Sequence, residues 1–495
     1  MTILHSRARR LAPIIAAGAV GAGLLAAPAG AYQTKFYHSR KDLRPPKITV
    51  DDGPSGVSPG YVFTAPRPSP GGPQMGPLIL DNGSHVVWFH PVKKGLTAVD
   101  FQRQSYRGKP ALTWSERPTI HGANIFAGAA DQQFDVIWSP QYKEIRRLQA
   151  TGPGVHTQLH EFLLTKNNNA IVVGYRFLKG DARKEGGSAN QTFIDAVVQV
   201  VSLRTNRVLF NWHSINHVPL STSLVKADPK QAYDYFHLNS VNVTKDHNLL
   251  ISARHTSAFY KVSLKTGKVI WTCGGKNSDF KFGPNAQFFY QHDVVDRGKG
   301  IYTMFDNHQS EFDNSHGTQS RGLSLQLRLR NGGNTATLRK QFVVPNRPAG
   351  SQGNYQILPD GHVFIGWGIQ PYASEFTSSG KLLWDFSVPG IQFQSYRTFK
   401  YPWTGAPDTN PALVASRKDG EVTAFTSWNG DTRTKSWALM AGTRVGHLGK
   451  HAEVTKTRFE AKLKANTDAP VVRVLALDAN HKIIGVSPVV KPKEG

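Results

Sequence analysis

One unit of sequence recurs along most of this chain, and it limits the fold more than any other feature. A polar turn leads into strand residues that end in tryptophan. NGSHVVW closes at Trp88, RTNRVLFNW at Trp212, KTGKVIW at Trp271 and SSGKLLW at Trp384. The tryptophans lie 124, 59 and 113 residues apart, close to two, one and two units of a single length. Two weaker copies, YKEIRRL around residue 145 and NTATLRKQF around residue 340, fill the gaps. Between them run short apolar-alternating segments separated by polar turns, with little helical periodicity. A sheet of a few short strands cannot bury both faces alone, so such units stack in a ring and close it. WD40 units are shorter, and their Gly-His and Trp-Asp signature is missing here. The expected fold is all-β: a six-bladed β-propeller over 61–408, preceded by an extended, Pro/Gly-rich lead-in over 32–60.

From about residue 412 the pattern changes. APDTNPAL reads as a linker, and strand-like runs follow in EVTAFTSWNG, SWALMAG, VVRVLALDAN and HKIIGVSPVV. These predict a small C-terminal β-sandwich over 412–495, with Trp428 and Trp437 in its core. At the other end, Arg7, Arg9 and Arg10 precede an apolar, Ala-rich run that ends at Ala29-Gly30-Ala31. That is the pattern of a cleaved secretory signal over 1–31, so export to the cell exterior or envelope is expected. No later run is long and apolar enough to predict a membrane-spanning helix. The single cysteine, Cys273, allows no internal disulfide and is expected to be buried.

A second element recurs in the same units, a strand, a polar turn and another strand. Its copies are HEFLLTKNNNAIVVGYR, HLNSVNVTKDHNLLISAR, HDVVDRGKGIYTMFDN and YQILPDGHVFIGWG. Three of the four begin with histidine. Equivalent positions in a ring of sheets face one axis, which places His160, His237 and His292 around a common space. If the turn in 237–254 centres between Lys245 and Asp246, His237 lies across from Arg254 and within reach of it. Asn239 then shares the face of His237 by the strand period of two.

Neutral imidazole is a nucleophile and a general acid or base near neutral pH. Arginine and asparagine donate hydrogen bonds to oxyanions. Together these groups suit transfer of an anionic group with three equatorial oxygens, sulfuryl or phosphoryl. Asp293 and Asp306 are placed to orient a histidine tautomer. A second reading of the same region is a metal site built from His292, Asp293, Asp306, His308, Asp313 and His316, but these residues lack a specific zinc spacing.

The formal net charge is +25, from 59 Lys and Arg against 34 Asp and Glu. Such a field draws anions: acidic cell-wall polymer, nucleic acid or small anionic substrates. No helix-turn-helix, zinc finger or RNA-binding signature is present, so no nucleic-acid partner is expected. Cell-wall association is compatible with the charge, and nothing in the sequence encodes an oligomeric state.

FHLNSV (236–241), ISARHTS (251–257), GKVIWTCGGKNSDF (267–280), QHD (291–293) and FDN (305–307) together resemble the arylsulfotransferase family, in its actinobacterial and fungal branch. LHEF, GHVFIGWG, SYRTFKYPWTG and SWNGDTRTKSW extend the likeness from about residue 40 to the end. The resemblance implies a six-bladed propeller enzyme that moves a sulfuryl group from a phenolic sulfate ester to another phenol. It implies no cofactor and no nucleotide sulfate donor (PAPS). It also implies a transiently sulfated histidine: the QHD match assigns His292 as nucleophile. The HxN pair gives His237 and Asn239, SARH gives Arg254, and the repeat phase gives His160. Two other readings stand beside this one. One is a non-catalytic propeller that binds an anionic glycan or cell-wall polymer. The other is a metal-dependent sulfatase or phosphoesterase.

Overall fold

Turn chemistry sets where the strands break. Gly267 in KTGK and Gly380 in SSGK take φ of +71° and +99°, a region that a side chain rarely enters. Each returns the chain for the strand that ends in the marker tryptophan. The computed structural model describes residues 33–50, 55–68, 74–119, 132–310, 313–387 and 393–494; the expected export signal lies outside them.

Among the described residues, six antiparallel four-stranded meanders follow one another along the chain. The second is Leu96–Tyr106, Lys109–Pro118, Phe134–Trp138 and Glu144–Leu148. The third is His156–Leu164, Asn169–Gly180, Gln191–Ser202 and Val208–His213. The fourth is Leu238–Val243, Leu249–Ala253, Ala258–Val262 and Val269–Gly274. The fifth is His292–Gly298, Ile301–Asp306, Arg321–Arg328 and Asn334–Phe342, with Phe280–Phe282 added in parallel at its edge. The sixth is Asn354–Ile357, Val363–Gly366, Tyr372–Phe376 and Leu382–Ser387, edged by Thr49–Val50. The first is made from both ends: Tyr61–Thr64, Leu78–Leu80 and Val86–Phe89 pair with Phe399–Tyr401. Each marker tryptophan, and each weaker copy of the repeat, lies on the last strand of its sheet.

Packing follows the same order and closes on itself. Trp88 and Phe63 of the first sheet share a core with Phe101 and Trp114 of the second. The second packs on the third through Ile137 and Phe162, and the third on the fourth through Val198 and Ile251. Leu250 joins the fourth to Met304 of the fifth, and Phe305 joins the fifth to Ile365 of the sixth. Trp384 and Phe364 of the sixth then meet Val62 and Leu78 of the first. Because both faces of a sheet are covered, strands such as LLISA are buried along their whole length and lose the alternation of a half-buried strand. Cys273 is buried in the core between the fourth and fifth sheets.

Two further four-stranded sheets occupy the C-terminal residues. One orders Glu460–Asn466, Glu421–Ser427, Ala412–Lys418 and Lys493–Glu494; the other orders His447–Thr455, Ser436–Arg444, Val471–Leu477 and Ile483–Val486. They share a core that includes Trp428 and Trp437. Asn429 binds both the N–H and the C=O of Phe89, capping the outer edge of the first sheet. The lead-in is tied down as well: the backbone N–H groups of His38 and Ser39 donate to the Glu460 carboxylate.

Where the inner strands converge, one arginine links them. The Arg397 guanidinium reaches Asp100 of the second sheet at 3.2 Å, Glu161 of the third at 3.0 Å and the Asn239 carbonyl of the fourth at 3.1 Å. Asp293 of the fifth lies 3.8 Å away. All four partners fall at register breaks in their strands. A bulge bends a strand and re-aims its side chains, so these four turn toward the axis. The burial of Arg397 works against its charge, but Asp100 and Glu161 outweigh it and hold the guanidinium protonated.

Arg397→Met should therefore cost about 3–5 kcal/mol in denaturant unfolding, because it strands buried acids without their cation. Burial raises Asp100 to about 7 and Asp293 to about 6, against the opposing pull of Arg397. The folded chain then holds protons that the unfolded chain has released above 3.8. That stabilisation is complete below the unfolded value and is lost as pH rises through 6 to 7. Melting temperatures taken from pH 4 to pH 8 should fall less in Asp100→Asn than in the native protein.

Candidate active site

The residues just before the axial bulges carry the imidazoles. His160 precedes Glu161 and His292 precedes Asp293, while His237 lies two residues before Asn239. His237 takes φ +52°, which turns its ring back toward the others. The rings of His160 and His237 are 5.1 Å apart, and Tyr396 lies 5.4 Å from His160 and 6.3 Å from His292. The three histidines singled out by the repeat thus gather around Tyr396, each on the first strand of its sheet or, for His237, just ahead of it.

His292 is fully wired. Its Nδ1 lies 2.7 Å from Asn307 Oδ1. Asn307 cannot offer its amide nitrogen there, because Nδ2 already donates to the carbonyls of Ala349 and Gln352. The proton of His292 is therefore on Nδ1, and the lone pair is on Nε2, where the Gln352 N–H donates at 3.1 Å. Burial, and then the charge of Arg254, push the His292 pKa well below its ordinary value, only partly offset by the bond to Asn307. His160 is pushed down in the same direction by burial and by the two neighbouring histidines. Both rings are neutral at physiological pH, as a nucleophile must be.

His237 is oriented by Asp234, which accepts its backbone N–H at 3.1 Å and its Nδ1–H at 2.5 Å. Burial pushes Asp234 up, yet His237 and His255 outweigh it and hold the carboxyl below the usual range. His255 donates from Nδ1 to the Asp234 carbonyl and accepts Arg254 Nη1 on Nε2 at 3.1 Å. Burial, with His237 and Arg254, takes the His255 pKa down to about 3. The Arg254 guanidinium is further held by the Gly350 carbonyl at 3.0 Å and stands over the Tyr290 ring.

Two expectations need correction. The 237–254 hairpin turns one residue later than expected, with Val243 facing Leu249. The extra residue is absorbed by the bulge at Asn239, so the Arg254 N–H still meets the His237 carbonyl at 2.9 Å. Asn239 accordingly does not share the face of His237 by simple alternation; its amide donates to the Gln291 carbonyl at 2.6 Å. Second, neither Asp293 nor Asp306 orients a catalytic ring. Asp293 accepts the Tyr355 N–H and faces Arg397, and Asp306 binds Arg321 and His308. The residues of the alternative metal reading do not form a ligand group among the described residues: His316 pairs with Asp313 and stacks on Phe289, and His308 pairs with Asp306. Among the described residues, the group that comes together with ligand-like spacing is Asp234, His237 and His255. Its Nδ1 atoms are committed as donors, and the Arg254 cation sits on the last nitrogen of His255, which suits a bound anion and opposes a metal cation.

The sequence reading missed Asp234, His255, Asn307, Gln352 and Tyr396. Asp234 had a visible signal, an Asp three residues before a His, the spacing at which a carboxylate caps a turn and reaches the ring. Asn307 stood in the quoted FDN without an assigned task. The wiring makes a direct prediction. Long-range ¹H–¹⁵N spectra should show His292 as the neutral Nδ1–H tautomer down to pH 5, and Asn307→Leu should populate the other tautomer.

The chain matches the arylsulfotransferase (ASST) family over residues 129–389. No curated protein matches it. Among solved structures, a protein of unknown function from Bacteroides caccae is 12% identical with a TM-score of 0.40, covering 69% of this chain and 99% of its own. A catalytically inactive virginiamycin B lyase from Staphylococcus aureus with quinupristin is 8% identical at a TM-score of 0.31, covering 79% and 94%. A protein from Lactobacillus plantarum is 11% identical at 0.32, covering 82% and 100%. Likenesses this loose carry no argument about chemistry. The family match is of another kind: it takes in more than half of the sequence, including His160, Asp234, His237, Arg254, His292 and Asn307. The chain belongs to the arylsulfotransferase family.

Proposed function

We propose that this chain is an exported, PAPS-independent aryl sulfotransferase that works through a sulfohistidine. In this reading the six sheets are blades of a closed propeller over 61–408, and the two C-terminal sheets form a sandwich over 412–495. The cyclic order of the shared cores supports the ring, and the signal-like N-terminus supports export. The observation that carries the chemistry is the state of His292: neutral, protonated on Nδ1, with its Nε2 lone pair accepting only the Gln352 N–H and the Arg254 charge acting on the ring.

The steps follow from the wiring. Nε2 of His292 attacks the sulfur of a phenolic sulfate ester in line, forming an N–S bond as the S–O bond to the ring breaks. The Gln352 N–H gives way to the sulfur and becomes a donor to a sulfuryl oxygen. Arg254 donates to the same group, and Asn239 has a second N–H beyond the one it gives to Gln291. The imidazolium that forms keeps its Nδ1–H on Asn307. His237 acts through Nε2, since Nδ1 is committed to Asp234. Its protonated form gives a proton to the departing phenolate and later takes one from the acceptor phenol, so the proton count closes over the cycle. The acceptor oxygen then attacks sulfur and releases His292. His160 packs against His237 with an unpaired Nδ1 and serves as a further polar contact to the group in transfer.

A phenolate is a fair leaving group, so oxyanion donors matter more here than the acid. The test is nitrophenol release from p-nitrophenyl sulfate by metal-stripped protein, with and without phenol. Release should require phenol and vanish in His292→Asn. Arg254→Ala should cost ~10²-fold or more in kcat, and His160→Ala less than the ~10²-fold that opens the range for general acid catalysis. Release without acceptor would mark a sulfatase. No release with any of several phenols would favour a binding propeller.

A further inference from the structure

A cavity of about 230 Å³ opens on the fourth sheet, apart from the catalytic cluster. Its inner wall is Ala258 and Tyr260 of the third strand with Val269 and Gly274 of the fourth. The connection between the third and fourth sheets covers it through Val218, Pro219 and Thr222. None of His160, His237, Arg254 or His292 lines it. An apolar cavity of roughly 150 Å³ takes one benzene ring, so this one has room for a ring with a short substituent.

The walls are fixed by their own contacts. His217, at one side, stacks on Trp212 with ring centroids 5.2 Å apart and planes 7° apart. Leu224, just past the covering residues, donates its N–H to the His255 carbonyl at 2.8 Å. The Tyr260 hydroxyl donates to Thr256 Oγ1 at 2.9 Å. Thr256 also lines the cavity, and it follows His255 in the turn that carries Arg254. A preformed pocket of mostly apolar walls with a few placed polar groups suits a small ligand and costs little ordering on binding.

Charge decides which ligand. The lining contains no Asp or Glu. It contains one lysine, Lys276, at the exposed rim beside Asn277. The Lys276 ammonium donates to the carbonyls of Ser221 and Ser223 at 3.0 and 2.5 Å. Both partners are neutral, so the cation keeps its charge, and the third of its N–H groups is left for a ligand. Burial, and then His213, hold the His217 pKa below its ordinary value, so Lys276 is the standing cation of the rim.

We infer that this cavity is a second binding site, for aryl anions of one ring, with the ring against Tyr260, Val218 and Val269 and the anionic group at Lys276. The site is separate from the sulfuryl chemistry proposed above and does not depend on it. The general +25 field attracts small anions of every shape. A walled site tells an aryl anion both from a small anion and from a neutral ring.

The test reads the site itself. Full-length protein labelled with ¹⁵N-histidine is titrated at constant pH and ionic strength with benzoate, benzamide and acetate. The His217 imidazole resonances, assigned through His217→Gln, report occupancy. Benzoate should move them saturably and bind about tenfold more tightly than benzamide, the return of one charge-assisted hydrogen bond. Acetate should be weaker than benzoate by a similar factor, since it has no ring to bury. Lys276→Gln should bring benzoate to within about twofold of benzamide. Val269→Trp, which fills the space from a half-buried position on the wall, should abolish the His217 shift with benzoate. No saturable shift in the native protein would overturn the site. So would benzoate binding no tighter than acetate, or a preference over benzamide that survives Lys276→Gln. No outcome involves turnover, so failure here leaves the His292 chemistry standing, and failure of that chemistry leaves this site standing.

Discussion

The structure depends on Arg397. Four strands, from sheets spread over nearly two hundred residues, break register where they meet this one guanidinium and resume pairing beyond it. A buried cation shared by Asp100, Glu161 and Asp293 ties these strands to one point. It also lies immediately before Phe399–Tyr401, the strand that completes the first sheet.

The same device builds the site. The bulges at Glu161, Asn239 and Asp293 lie beside His160, His237 and His292, the first and last of which pack against Tyr396. Tyr396 itself is held by its hydroxyl on the Asn239 carbonyl at 2.6 Å. Tyr396, next to Arg397 in sequence, thus packs on His160 and His292 while Arg397 holds the acids. His160 and His292 stay neutral because they are buried beside charged or basic neighbours, while His292 and His237 are each oriented by a group that can only accept: Asn307 Oδ1 for His292 and the Asp234 carboxylate for His237.

Much of this was legible in the sequence. The tryptophan-ended repeat marks the last strand of four sheets, and the histidine-led hairpins mark the first strands of the third to fifth. These signals are local, set by turn chemistry and strand periodicity over a dozen residues. The bulges were not legible, because a one-residue insertion leaves the hydrophobic pattern of a fully buried strand unchanged. That is why simple alternation does not describe Asn239, while the pairing of His237 with Arg254 still holds through the bulge. Arg397 was read only as part of a family-like segment, since its partners lie about 100 to 300 residues away and no local pattern announces them. The His/Asp-rich run from His292 to His316, read only as an alternative metal site, shows the converse: His308 pairs with Asp306, and His316 with Asp313, rather than with His292.

The central claim is a covalent bond between sulfur and His292 Nε2. The direct measurement is intact and peptide mass spectrometry of protein quenched under mildly alkaline conditions after brief exposure to p-nitrophenyl sulfate, with no acceptor present. One sulfuryl group should appear on the peptide that carries His292, disappear on adding phenol, and be absent from His292→Asn. Phenol-dependent turnover with an unmodified His292, or a sulfuryl group found on His160 or His237 instead, would contradict the account.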